Sequence, residues 1–310
     1  MSTRSALHGV VAELPELVAL RVRAAQLGRA ERHRSADRLS GLQLSPFRGR
    51  GMEYAESRPY AAGDDVRHID WRVTARTGRT HTKLFQPERE RITALVYDAA
   101  PTMAFGTRVC FKSVQAARIG ALLAWAALAE GDRLAATVCG RAREVVAPFG
   151  ARRGVLRVLD ALVRWQQPPA TAAAPAALEA ALDVLQRQLR PGSHILLLLD
   201  PRSLDAGAER ALQRLRAHHD LAACVLADAL EAAPPPPARY RIGDGRQSLA
   251  LALDSSDARA AWQEHFEQRH GHVLERLRAV GARARLTLTH EDPVHALHEL
   301  LSGMPLSSAA

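Results

Sequence analysis

The chain has 310 residues, 47% hydrophobic and 24% charged, enough for one large domain or two modest ones around a buried core. No run of 18 apolar residues occurs and the first 34 residues lack a signal-peptide core, which excludes an obvious spanning helix and points to the cytoplasm. The net charge of +9 is uneven: residues 1–150 hold 23 Lys+Arg against 15 Asp+Glu, so +8 of it lies in the first half. That excess suits nucleic acid or an acidic protein face equally. Only Lys83 and Lys112 are lysines, a bias shared with the abundance of alanine. Cys110, Cys139 and Cys224 are odd in number and far apart, so they fit neither a disulfide framework nor a metal spacing and read as small buried hydrophobes.

In chain order, Leu14, Leu17, Leu20, Val22, Ala25 and Leu27 form an apolar stripe that predicts a helical segment within residues 1–40. Residues 41–91 have glycines at 41, 49, 51, 63 and 78 and clustered charges, and read as a basic extension of loops and short strands ending near Thr80–Phe85. From residue 92 the pattern is α/β. Buried strands are expected at Ile92–Tyr97, Leu134–Cys139, His194–Leu199, Leu221–Leu226 and Ala284–Thr289, with a further strand at Glu144–Ala147. Helices are expected at Lys112–Glu130, Arg153–Trp165, Ala176–Leu189, Glu209–His218, Asp257–Val280 and Pro293–Leu301. Pro234–Pro237 is a stiff spacer, and a hairpin insertion near residues 238–254 turns at Gly243–Gly245.

Apolar strands alternating with helices predict a doubly wound, mostly parallel sheet. Such sheets bind ligands beyond the carboxyl ends of their strands, at the switch point. Asp98 and Asp200 each follow a buried run, so the pattern alone predicts that they converge there.

The stretches Phe47-Arg-Gly-Arg-Gly-Met-Glu-Tyr54, Arg58-Pro-Tyr-Ala-Ala-Gly-Asp-Asp-Val-Arg-His-Ile-Asp-Trp71, Thr74–Thr77, Lys83–Phe85 and Glu88–Glu90 resemble a bacterial domain-of-unknown-function family, number fifty-eight. The likeness continues through Tyr97-Asp98, Phe105-Gly106, Phe111–Ser113 and Gly131–Arg133. Members of that family look like von Willebrand factor A domains with an N-terminal extension and are commonly encoded beside MoxR-type AAA+ ATPases. The resemblance implies a non-catalytic interaction module, adaptor or partner of such an ATPase. It also implies a Mg²⁺ site after the first strand, completed by a threonine and an aspartate from other loops.

Here that loop reads Asp98-Ala-Ala-Pro-Thr102, so Ala100 lacks the first hydroxyl while Thr102 keeps the second. The threonine loop lies within Thr171–Leu178, with alanine just before Leu178, and Asp200 matches the third loop. A degenerate site of Asp98, Thr102 and Asp200 is expected, weak or empty, with no tightly held cofactor. The plainer role for Asp98 is to cap the next helix or to pair with an arginine.

The cluster Arg58, Asp64, Asp65, Arg67, His68, Asp70, Trp71 and Arg76 is the candidate binding face. Its plain reading is an ion-pair network that pins loops lacking a core, with Trp71 as a core anchor. Arg48-Gly-Arg-Gly51 suits phosphate, yet no helix-turn-helix, zinc or RNA-binding signature accompanies it, so nucleic-acid binding by the basic half stands second. A metal-dependent hydrolase at Asp98 and Asp200 stands third. No Gly-x-Ser-x-Gly elbow, His-Glu-x-x-His or dinucleotide fingerprint is present.

Overall fold

The computed structural model describes residues 9–27, 52–87, 91–167, 177–243 and 248–302. The chain divides into two units, one of residues 1–29 with 91–310 and the other of residues 30–90. Arg48–Gly51, Thr171 and the tip of the residue 238–254 hairpin lie outside the described residues.

The apolar stripe near the start forms two short helices, α1 (Leu14–Ala19) and α2 (Arg21–Ala24). They are not an independent segment: Leu17, Leu20, Ala24 and Leu27 are buried in the core of the larger unit. In the smaller unit, β1 (Met52–Pro59) pairs antiparallel with β2 (His81–Pro87), and α3 (Trp71–Thr77) lies between them in sequence. The sequence reading missed α3. Its signals are Asp70, whose side chain accepts from the Val73 amide as N-cap, and Gly78, which ends the helix at φ 70°.

The larger unit continues with β3 (Ile92–Asp98), α4 (Lys112–Ala129), β4 (Arg133–Cys139), β5 (Val145–Phe149), α5 (Ala151–Trp165), α6 (Leu178–Gln186) and β6 (His194–Leu199). It ends with α7 (Ala206–Arg216), β7 (Asp220–Ala227), α8 (Ala229–Ala232), the hairpin β8 (Arg239–Gly243) and β9 (Ser248–Ala252), α9 (Ser256–Ala279), β10 (Arg283–Leu288) and α10 (Pro293–Ser302). Six strands form one sheet in the order β10-β7-β6-β3-β4-β5, parallel throughout except for the β5 edge. This is the doubly wound, mostly parallel α/β sheet that the sequence predicts.

Strands buried on both faces need no polar alternation, which is why β3, β6 and β7 read as continuous apolar runs. Their side chains still divide by face. Leu95, Tyr97, Leu196, Leu198, Cys224 and Leu226 join the core beneath α4, α5 and α10. Ala94, Val96, Ile195, Leu197, Ala223 and Val225 join the core beneath α6, α7 and α9. Helix α4 is enclosed on nearly every side, with Val114, Ile119, Leu122 and Trp125 among its buried residues. The N-terminal segment forms part of that enclosure. The Trp125 indole donates to the Leu17 carbonyl at 3.0 Å, Arg118 Nε to Glu16 at 2.6 Å, and the Phe111 amide to the Gly9 carbonyl at 2.7 Å.

Leu17 is fully buried. Leu17→Ala is therefore expected to cost about 2–5 kcal/mol of unfolding free energy in urea titration, as for a core leucine. A loss below about 0.5 kcal/mol would mean that α1 is no part of the core.

Candidate functional site

The strand order reverses at β3. The connection after β3 leads to β4 on one side, and the chain later returns to place β6 on the other. Asp98 closes β3 and Asp200 follows β6, so the two carboxylates lie side by side at the carboxyl rim, as the sequence predicts. The fit there is close. Gly140, at φ 76°, lets the end of β4 pass the Asp98–Ala100 turn, and a Cβ on it would lie 2.3 Å from the Ala100 nitrogen.

Asp98 is fully buried and neither caps a long helix nor meets an arginine. Its Oδ1 accepts from the Ala100 amide at 2.9 Å, and its Oδ2 accepts from the Asp200 amide at 2.9 Å and the Ser203 hydroxyl at 2.5 Å. Burial raises its pKa, the neighbouring Asp200 charge adds to that, and the three hydrogen bonds oppose it.

Asp200 accepts from the Arg202 amide at 2.9 Å through Oδ1. Through Oδ2 it accepts from Lys112 Nζ at 2.7 Å. Lys112 is the first residue of α4 and only 1% exposed, and its ammonium also reaches both oxygens of Glu231 at 3.1 Å. Glu231 in turn accepts from the Asp228 amide, completing a capping box around α8.

Asp228 is a third rim carboxylate, fully buried just beyond β7, and the sequence reading missed it. It accepts from the Thr107 hydroxyl at 2.5 Å and the Thr289 hydroxyl at 2.7 Å. Burial works against its charge, but those hydroxyls together with the Leu230 and Thr107 amides hold its pKa below the usual carboxylate value. Asp228-Ala-Leu-Glu231 is a visible capping-box spelling, and Lys112 is one of two lysines in a chain otherwise using arginine. Both signals were available in the sequence.

The donor set does not fit the Mg²⁺ site that the resemblance implies. Magnesium requires near-octahedral oxygens at about 2.1 Å. Here both Asp98 oxygens are engaged by neutral donors and Asp200 Oδ2 is taken by an ammonium. Ala100 contributes no hydroxyl, and Thr102 sits in the short 3-10 turn Pro101–Met103. Among the described residues no group of three His, Cys, Asp or Glu side chains is placed to hold a metal ion. Beside the rim, a cleft of about 380 Å³ is lined by Thr107, Arg108, Leu230, Pro235, Tyr240 and Leu251.

The second cluster lies within the smaller unit. Arg58 pairs with Asp64 at 2.7 Å, and Asp64 also accepts from the Ala61 amide at 2.9 Å. That amide and then Arg58 hold the Asp64 pKa low. Asp65 caps the 3-10 turn Val66–His68 through the Arg67 amide, and His68 is half-buried in that turn. Asp70 is buried and accepts from the Ser57 hydroxyl at 2.7 Å and the Val73 amide at 3.2 Å, which keep its pKa low. Two expectations fail here. Trp71 is no core anchor, being 70% exposed, and Val66, five residues before it, is 62% exposed. The expected ion-pair network shrinks to the single Arg58–Asp64 pair: Arg67, Arg72, Arg76 and Arg79 are exposed and form no ion pair with the described residues. The acids of the segment hold backbone turns together, so the arginines are left facing solvent.

Fold and site together define a doubly wound α/β protein with a closed, charged switch-point rim and a separate arginine-rich face. The chain belongs to the family described as "Protein of unknown function DUF58", which matches residues 56–272. Uncharacterized proteins of Mycobacterium tuberculosis and Mycobacterium bovis are each 32% identical over 196 residues, 61% of this chain. The match spans 59% of the length of those relatives. Among solved structures, the conserved hypothetical protein BatB from Bacteroides thetaiotaomicron is 13% identical, covering 68% of this chain and 96% of that one, at TM-score 0.38. An aerotolerance-related membrane protein from Bacteroides fragilis is 13% identical over 68% and 97%, at TM-score 0.39. A von Willebrand factor type A structure from Catenulispora acidiphila is 12% identical over 71% and 43%, at TM-score 0.36. Likenesses at these scores carry no functional weight. Among the described residues no helix is long and apolar enough to cross a membrane.

His270 of α9 is 5% exposed, and burial, then the charges of Lys112 and Arg269, push its pKa down to about 4, against a smaller upward pull from Asp200. Its folded pKa lies below the ordinary 6.5, so the unfolded chain binds the proton first as pH falls. Stability present above pH 6.5 is therefore lost on the way to pH 4. His194 and His219, also lowered by burial, act in the same direction. Urea midpoints measured across pH 4–7 should fall with acid, and His270→Gln should make that fall shallower. An unchanged slope would mean that His270 is not held neutral.

Proposed function

We propose that this chain is a non-catalytic protein-interaction module, the adaptor or partner of a MoxR-type AAA+ ATPase. The observation that supports it is the face of the smaller unit. Trp71 and Val66 are exposed in the same stretch of chain as the exposed Arg67, Arg72, Arg76 and Arg79, while Asp64, Asp65 and Asp70 are occupied within the unit. Tryptophan and arginine are the residue types that dominate binding energy at protein interfaces, where charged neighbours steer encounter. Such a face calls for an acidic, partly apolar partner surface. The cleft beside the rim, walled by Leu230, Pro235 and Leu251 with Arg108 at its edge, is a second place for a partner side chain.

The rim supports the non-catalytic reading. A hydrolase at Asp98 and Asp200 needs a free carboxylate oxygen or a metal-bound water. All four carboxylate oxygens of the pair are already engaged by protein donors. The cytoplasmic setting expected from the sequence belongs to the same proposal.

The reading is tested by pull-down with a MoxR-type AAA+ ATPase from the same organism, in each nucleotide state. Trp71→Ala and Arg76→Glu should each weaken association at least about tenfold, a loss of ~1.4 kcal/mol or more. Both sites are exposed, so thermal stability should stay within about 0.5 kcal/mol of the parent. Absence of association in every nucleotide state removes the proposal. Binding of single-stranded DNA or RNA that weakens steeply with salt and needs the same arginines replaces it with the nucleic-acid alternative.

A further inference from the structure

We propose that the Lys112 ammonium is the resident cation of the rim, supplied by the chain itself between Asp200 and Glu231. The argument begins with coordination. Lys112 Nζ meets three oxygens of two carboxylates, at 2.7 Å from Asp200 and 3.1 Å from each oxygen of Glu231. An ammonium has three hydrogens, so the oxygens match its donors. Arginine, used everywhere else in the chain but at Lys83, presents a flat fork and cannot gather three oxygens onto one point.

Burial sharpens the point. Lys112 and Asp200 are 1% and 2% exposed, and a charge so placed is tolerated only when paired and hydrogen-bonded. The ammonium is also held in position. The Lys112 amide donates to the Phe105 carbonyl at 2.9 Å, and the Phe105 ring lies 5.9 Å from Nζ. Among the described residues no other cationic side chain is hydrogen-bonded to Asp98, Asp200 or Glu231: the donors to Asp98 are two amides and a hydroxyl. The rim thus carries one fixed positive charge where a divalent metal would bring two, without an exchangeable position through which a partner carboxylate could be bridged. This inference stands apart from the identity of the partner.

The test uses the full chain and Mn²⁺ as probe, followed by electron paramagnetic resonance and calorimetry. The parent should show no Asp200-dependent binding. Lys112→Ala vacates the ammonium position and leaves the three oxygens facing a water-sized gap. It should bind Mn²⁺ at least about tenfold more tightly than the parent, and Mn²⁺ should raise its melting temperature while leaving the parent's unchanged. Adding Asp200→Asn or Glu231→Gln to Lys112→Ala should abolish the gain. Should Lys112→Ala not fold alone, it is refolded in Mn²⁺, and recovery of the folded state supports the proposal. Mn²⁺ binding by the parent that is lost in Asp200→Asn overturns it. So does a folded Lys112→Ala that ignores Mn²⁺, or one that Mn²⁺ fails to recover.

Discussion

One buried ammonium, paired with two carboxylates, holds the rim of the larger unit together. The Lys112 ammonium, between Asp200 and Glu231, ties the start of α4 to the end of β6 and to α8. Through Glu231 and Asp228 the chain of hydrogen bonds continues to Thr107 before α4 and to Thr289 after β10. Removing one member of such a pair leaves the other charge buried and unmatched, a loss typically of about 3–5 kcal/mol. The rim is therefore a closed polar network rather than an open basin.

That network follows from the sheet. A parallel sheet with helices on both faces leaves no wet face for polar side chains, so β3, β6 and β7 are apolar along their lengths. Carboxylates enter at the strand ends instead, and Asp98, Asp200 and Asp228 do so at three neighbouring strands. The smaller unit obeys the opposite constraint. Among its described residues the acids stabilise turns, and Trp71 stays outside.

This contrast explains what could be read from the residues beforehand. Fully buried strands announce themselves as short apolar runs, and two such runs ending in aspartate imply a shared rim once the sheet is parallel. Contacts between distant segments leave no such trace. The pairing of Lys112 with Asp200 spans 88 positions, and periodicity has nothing to say about it. The burial of Leu17 beside Trp125 spans 108 positions and is equally silent. In residues 58–76 the error ran the other way. Alternating acids and arginines invite pairing on paper, but the backbone turns claim the carboxylates first through the amides of Ala61, Arg67 and Val73.

The enclosure of α4 by residues 9–27 bears on the order of events during synthesis. Those residues leave the ribosome roughly a hundred positions ahead of the helix they cover, and domains acquire structure as their parts emerge. Leu17, Leu20 and Leu27 have no apolar surface to rest on until Trp125 and its neighbours have been made. For that interval the nascent chain displays a leucine-rich stretch next to arginines 21 and 23, the kind of segment that chaperones hold. Residues 9–27 are thus made well before the surface on which they come to rest.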